Sequence, residues 1–291
     1  MLDIQPFDSL RDWRFHALLY VTLSTQAEFF YMFWGLLTAT QRTALNALVF
    51  MYSEVLKRPI EESIAFTYAH KTPRIPTVFS HQKASAVLEQ LEGQHYAMAA
   101  LLYGAGLRVM ECVRLRIKDV DFTLKQLVVR NGKGGKDRAT PLPEKIAPLL
   151  QQAIEQAQKL HAYDLSEGYG AVYLPFALAR KYSNAATELA WQYVFPARQR
   201  AVDPRSELIR RHHVGEQSLQ LAVKRAIKRA GIHKQASCHT FRHSFAARLL
   251  EMNYDIRTVQ TLLGHANVKT TEIYTHVVGR GALAVTSPLD I

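Results

Sequence analysis

Six side chains in a fixed order, Arg108, Lys133, His239, Arg242, His265 and Tyr274, could between them carry out one reaction. They lie in five short stretches: GAGLRVMECVRL at 104–115, NGKGGKDR at 131–138, HTFRHSF at 239–245, LLGHANV at 262–268, and Tyr274 within TTEIYTHV. Two arginines can fork onto the non-bridging oxygens of one phosphate, because guanidinium is planar, permanently charged and bidentate toward phosphate. A tyrosine oxygen can attack that phosphorus, and a lysine and two histidines can supply and remove the protons. The chemistry would be exchange of one phosphoester for another, and none of these roles calls for a metal or a nucleotide cofactor. His239 and His243 also have the i, i+4 spacing of a zinc pair, but no glutamate sits between them and no third ligand is evident, so no metal site is expected.

These residues need elements to hold them. Arg108 begins a helix after a glycine-containing turn, and Glu111 lies one turn further on, close enough to buttress it. His239 and Arg242 are three apart and so share a helix face, with Ser237 placed to cap that helix. The stretch NGKGGKDR is flanked by Gln126–Arg130 and Ala139–Leu142, which reads as a hairpin with Lys133 and Lys136 at its tip. Pro143 opens a helix to about Lys159, and further helices are expected near 178–189, 215–230, 238–252, 256–263 and 268–274. Toward the N-terminus the clearest helix is 39–58, where Leu45, Leu48, Val49, Tyr52 and Leu56 fall on one face. Pro73 and Pro76 favour an extended linker within 68–80.

The chain of 291 residues suits two domains. Its formal charge of +11 is unevenly spread: residues 1–75 hold 7 Lys/Arg and 7 Asp/Glu, while residues 76–291 hold 29 and 18. A polyanionic partner would therefore touch mainly the C-terminal two thirds. Only Cys112 and Cys238 are present, with no Cys-x-x-Cys pair, which excludes a disulfide framework and a cysteine zinc site and fits a reducing cytoplasm. The apolar stretch 15–37 is interrupted by Gln26 and Glu28, where an ionised group is costly in a bilayer, so no membrane insertion is expected.

The order Arg, Lys, His-x-x-Arg, Leu-Gly-His, then Tyr nine residues later resembles the catalytic domain of the tyrosine recombinases, or phage integrase family, from about residue 77 to the end. Three segments are similar to the integron integrases in particular: ALARKYSNAATELAWQYVFPA (177–197), DPRSELIRRHHV (203–214) and TSPLD (286–290). The resemblance implies a mainly α-helical fold with a small β-hairpin or sheet in a two-domain architecture. Residues 1–70 would form a helical core-binding-like domain, 71–79 a linker, and 80–291 the catalytic domain with an insertion at about 177–214. Residues 1–38 match none of the family's earlier helices, which fits a shortened or frame-shifted start.

The resemblance also assigns roles. Arg108 and Arg242 would clamp the phosphate with Glu111 in support, Lys133 would be the general acid, His239 and His265 would join the catalytic set, and Tyr274 would be the nucleophile. Lys136 and Arg138 would contact the DNA backbone and act through counterion release. Trp191, Pro204, His212 and His213 match residues that hold bases flipped out of a folded single-stranded cassette site, since a splayed base offers a π-face for stacking. Trp191 could instead be ordinary core. The partners implied are DNA, as a folded cassette site and a double-stranded insertion site, and a homo-tetramer assembled on them, in a bacterial cytoplasm. The C-terminal stretch after Tyr274 would pack onto a neighbouring protomer. Two other readings stay open: another tyrosine recombinase, for chromosome-dimer resolution or phage integration, and a DNA-binding remnant with an impaired N-terminal domain. A type IB topoisomerase uses similar residues, but the integron-like segments weigh against it.

Overall fold

The computed structural model describes residues 38–57, 76–130, 132, 135–182 and 184–277. The apolar stretch 15–37, most of the expected linker, Lys133 and the C-terminal stretch from residue 278 lie outside the described residues. The chain divides into two compact units, Met1–Arg74 and Ile75–Ile291. In the first, α1 (Thr38–Phe50) runs into a π-helical turn at Met51–Val55, closed by Leu56 N–H donating to the Met51 carbonyl at 2.9 Å. The helix expected over 39–58 therefore ends early. The extra residue per turn rotates the side chains beyond Phe50 about the axis, and Val49 and Leu56 are exposed while Leu45, Leu48 and Tyr52 are half-buried.

The second unit is helical around α3 (Gly93–Gly104), in which Ala97 to Leu102 are buried consecutively. A helix buried on every side needs apolar residues all round, and this one has them. Against it pack α2 (His81–Leu88), α5 (Ala147–Ser166), α7 (Glu216–Arg229) and α8 (Cys238–Glu251). Short α4 (Val109–Val113) comes after α3 and a turn at Gly106. A second small core gathers Phe245, Ala246 and Leu250 of α8, Val259 and Leu263 of α9 (Ile256–Leu263), and Tyr274 of α10 (Lys269–Val277). Ser237 occupies the N-cap of α8, its N–H bonded to the Thr240 hydroxyl at 3.0 Å.

The expected hairpin is part of a three-stranded antiparallel sheet, β1 (Val120–Asp121), β2 (Gln126–Val129) and β3 (Arg138–Pro141), in that order. Val129 pairs with Arg138, so the glycine-rich stretch leaves the sheet directly beside Arg138. The helix after Pro143 begins as a 3-10 turn at Glu144–Ile146 and continues as α5 to Ser166.

The helix expected over 178–189 is largely absent. In its place are α6 (Phe176–Lys181), a run of turns and a 3-10 turn at Leu189–Trp191. Non-helical carbonyls there need partners, and the buried Gln192 amide supplies them, lying 3.1–3.2 Å from the carbonyls of Gly170, Ala186 and Glu188. The segment forms its own small core of Val172, Leu174, Ala185 and Tyr193, then the strand pair β4 (Ala201–Val202) and β5 (Ile209–Arg210).

Candidate active site

Arg108 sits at the N-cap of α4, and the turn before it has a specific reason to be glycine. Gly106 has φ +63°, and a Cβ there would lie 2.4 Å from Phe245 Cδ1. Glu111 Oε2 accepts the Arg108 backbone N–H at 2.7 Å, and Oε1 accepts the Arg108 guanidinium at 2.7 Å. Arg242, buried in α8, donates to the carbonyls of Gly106 and Leu263, and its Nη1 lies 3.7 Å from Glu111. One carboxylate thus holds two of the expected arginines in register.

It also holds a third. Arg138 forks onto Glu111 with Nη1–Oε1 at 2.9 Å and Nη2–Oε2 at 2.6 Å, while its Nε donates to the Leu262 carbonyl at 2.8 Å. Its side chain is 7% exposed. Glu111 and Leu262 thus engage three of the five N–H donors of Arg138, the residue expected to meet the DNA backbone, and its side chain is largely buried. Lys136, by contrast, is exposed.

Burial alone would raise Glu111, but the hydrogen bonds from Arg138 and Arg108 outweigh it and hold the carboxyl at about 2. Burial, and next the Arg108 charge, pull Arg242 down to about 9, which leaves it charged at neutral pH.

Tyr274 lies on α10 with 2% of its surface exposed. Burial raises its phenol above 10.0, while Arg242 and Arg108 act in the opposite sense, which places both charges near the hydroxyl. His265 is delivered by a left-handed C-cap: Gly264 has φ +61° and ψ +48°, and the His265 N–H returns to the Gln260 carbonyl at 3.1 Å. A Cβ on Gly264 would press on Arg138 Cδ at 2.9 Å, so the same glycine admits the third arginine. The His265 ring stacks on Tyr274 with centroids 6.5 Å apart, and its Nδ1 faces Thr271 Oγ1 at 3.0 Å. Burial, then Arg242 and Arg108, lower it to about 4.

His243 is the residue that sequence reasoning passed over. Its Nδ1 lies 2.8 Å from Tyr274 Oη, and burial, then His239 and Arg242, lower it to about 4. His239 is exposed, and its ring meets His243 edge-on at 6.5 Å. The sequence signal for His243 was its position one turn beyond His239. Nothing in the sequence tied it to Tyr274, and nothing tied Arg138 to Glu111.

The structure brings Arg108, Glu111, Arg242, His265 and Tyr274 together. The four residues expected to hold flipped bases lie elsewhere, within residues 191–213. Trp191 is half-buried, with Lys118 Nζ 3.0 Å from its ring centroid. Pro204 is exposed between β4 and β5. His212 gives its carbonyl to Ala197 at 2.7 Å. His213 sits edge-on to Tyr193 at 5.3 Å with Nδ1 2.8 Å from the Val214 carbonyl, so its ring is half-buried. Arg116 docks the insertion onto the rest of the unit: it donates to the carbonyls of Trp191 and Tyr173 and lies 4.7 Å above the Tyr193 ring.

A helical unit that gathers three arginines on one glutamate beside a buried tyrosine is equipped to hold a phosphate next to a phenol. The chain belongs to the phage integrase family, whose model matches residues 77–279, and is a tyrosine-type site-specific recombinase. It is 46% identical over 252 residues to proteins called integrase/recombinase from Escherichia coli and Pseudomonas aeruginosa, covering 87% of this chain and 75% of each of them. It is 34% identical to the tyrosine recombinase XerA of Pyrococcus horikoshii over 71% of this chain and 60% of that one. Among solved structures it is similar to the XerH recombinase bound to its difH substrate, with TM-score 0.58, 24% identity, and coverage of 86% of this chain and 65% of that one. Among the described residues no helix is long and apolar enough to cross a membrane.

Proposed function

We propose that this chain cleaves and rejoins DNA through a 3′-phosphotyrosine at Tyr274, and that its substrates are a folded single-stranded cassette site and a double-stranded insertion site of the integron type. Arg108 and Arg242 grip the non-bridging oxygens, Tyr274 attacks phosphorus, Lys133 protonates the leaving 5′-oxygen, and His239 and His265 flank the phosphate. The single observation that carries the cleavage chemistry is the gathering of Arg108, Arg138 and Arg242 on Glu111 beside Tyr274. Three cations on one anion leave a surplus that a phosphodiester would partly offset. The phosphoester energy is kept in the tyrosyl ester, so religation needs no nucleotide.

The choice of substrate rests on the insertion. Trp191 presents a half-buried indole whose face is taken by the Lys118 ammonium. A face that holds a cation offers the same π-surface to an extrahelical base, worth roughly 1–3 kcal/mol per stack. The likeness to a tyrosine recombinase called XerA favours a second reading, that of another tyrosine recombinase, for which we take two paired duplex sites as substrates. The assembly proposed is a tetramer on two sites, with the N-terminal unit clamping DNA.

The test is to incubate the protein, without metal or ATP, with a nicked folded cassette site and with a nicked fully paired duplex, and to resolve covalent complexes on a denaturing gel. A complex on the folded site supports the reading. A complex on the duplex alone supports paired-site recombination, and no complex on either leaves only DNA binding.

A further inference from the structure

We propose that His243 takes the phenol proton of Tyr274 as its oxygen attacks phosphorus. The inference rests on the reading of Tyr274 as nucleophile and names a residue for a step that reading leaves unassigned. A base that acts in flight must lie within about 2.6–3.2 Å of the oxygen it deprotonates, and His243 Nδ1 stands 2.8 Å from Tyr274 Oη. The other two histidines are differently engaged. His265 faces its Nδ1 to Thr271 and meets Tyr274 ring on ring, in a nearly parallel stack at 16°. His239 is exposed on the first turn of α8, where its ring meets His243.

His243 is faced by His239 and Arg242 from its own helix, by Tyr274 of α10 and by His265 of the turn between α9 and α10. No carboxylate is among these groups, so the imidazole stays neutral at neutral pH. The proposed step uses the tautomer with its proton on Nε2, in which the phenol donates and Nδ1 accepts. Burial is the larger cause opposing imidazolium formation, and a DNA phosphate beside Arg242 would lessen the second, electrostatic one.

The step balances. Oη–H breaks as Nδ1–H forms, Oη–P forms as P–O5′ breaks, and O5′ takes a proton from a separate acid, Lys133 in the proposed scheme. On religation O5′–P forms as Oη–P breaks, the attacking 5′-hydroxyl gives its proton back to that acid, and His243 returns its proton to Oη.

His243→Asn tests this, because the amide oxygen keeps a hydrogen-bond acceptor near the Nδ1 position and cannot take a proton. Covalent-complex formation by the full chain on the nicked folded site should slow by on the order of 100-fold, with DNA affinity and melting temperature retained. Replacing Tyr274 by a fluorinated tyrosine that ionises near neutral pH should restore most of that rate, since a phenolate needs no base. Parent-like cleavage by His243→Asn would overturn the proposal, as would an equal deficit with the fluorinated phenol. A second arm leaves residue 243 unchanged. With the fluorinated tyrosine in the otherwise unaltered protein and sulfur as the leaving atom, the solvent deuterium isotope effect on cleavage should fall to near unity, and persistence at the parent's value would overturn the assignment. Tyr274→Phe separates the two readings: an adduct in that variant would sink Tyr274 as nucleophile, whereas its absence together with a parent-like His243→Asn would sink the base alone.

Discussion

Two regions of the catalytic unit bury arginines, and they balance them differently. Where the insertion meets the end of α5, Arg211 forks onto Asp164 at 2.6 and 2.7 Å, Arg200 reaches Glu167 at 2.6 Å and Asp164 at 3.6 Å, and Arg210 lies 3.5 Å from Asp203. Three guanidinium groups face three carboxylates. Around Glu111, three guanidinium groups share one. The balanced network can hold residues 200–211 against the end of α5 and carries no surplus charge to attract an anion. The surplus at Glu111 burdens the fold and attracts an anion, since unpaired buried charge is costly until something pairs it.

Changes at the surplus should abolish chemistry, and changes at the balanced network should cost only stability. The largest effect is expected from Tyr274→Phe, which should bind DNA and form no covalent complex on a denaturing gel. Arg242→Lys should come next, with cleavage lowered by on the order of 10³-fold despite the retained charge, because an ammonium cannot supply the fork to phosphate. Near-parent cleavage by that variant would place the clamp elsewhere and erase the contrast. In the other region, Asp164→Asn leaves Arg211 buried without its carboxylate and should cost about 3–5 kcal/mol of folding stability in denaturant. Covalent-complex yield per folded molecule should be unchanged, and a cleavage loss beyond the folded fraction would show the two regions to be coupled.

Smaller effects sharpen the same contrast. Trp191→Ala should weaken binding to the folded site by about 1–3 kcal/mol and leave binding to a paired duplex at the same salt unchanged, because duplex contact rests on phosphates. Equal losses on both DNAs would make the indole ordinary core. His213, edge-on to Tyr193, is the less suitable variant, since its loss would also loosen the insertion. The smallest effect concerns acid. His265 and His243 are held at about 4 in the folded protein against 6.5 when exposed. As pH falls from 6.5 toward 4 the unfolded chain takes up protons that the folded chain refuses, so stability present above 6.5 is lost across that window. His265→Asn should make the decline in unfolding free energy over that range shallower, whereas Asp164→Asn should not.

Much of the surplus region was legible in the sequence. Order and spacing named Arg108, Glu111, Arg242, His265 and Tyr274, and Ser237 marked the start of α8, because caps and helix faces are local. What escaped were contacts across long stretches of chain. Arg138 and Glu111 come from different elements, and a basic residue in a glycine-rich stretch reads as a surface contact until its burial is known. His243 reads as an incidental neighbour of Arg242 until α10 is laid against α8. The balanced region was less legible for the same reason. The helix expected over 178–189 has suitable residues, yet the Ala186 carbonyl takes Val172 N–H, fourteen residues back, at 2.9 Å, and the buried Gln192 amide meets the carbonyls of Gly170, Ala186 and Glu188, partners that propensity does not register. At Met51 the helix continues in a wider register, which a 3.6-residue period cannot express.

The way Arg116 carries the insertion has a consequence for divergence. Its donors meet the main-chain oxygens of Trp191 and Tyr173, and the adjoining bonds, Ile117 N–H to the Gln192 carbonyl at 3.0 Å and Val194 N–H to the Leu115 carbonyl at 2.9 Å, are also backbone to backbone. Apart from the Tyr193 and Trp191 rings beside Arg116, such a joint depends little on which side chains that segment displays. Lineages can rewrite that surface residue by residue, or exchange it whole for another of the same backbone course, while the strand-cutting apparatus behind it stays as it was.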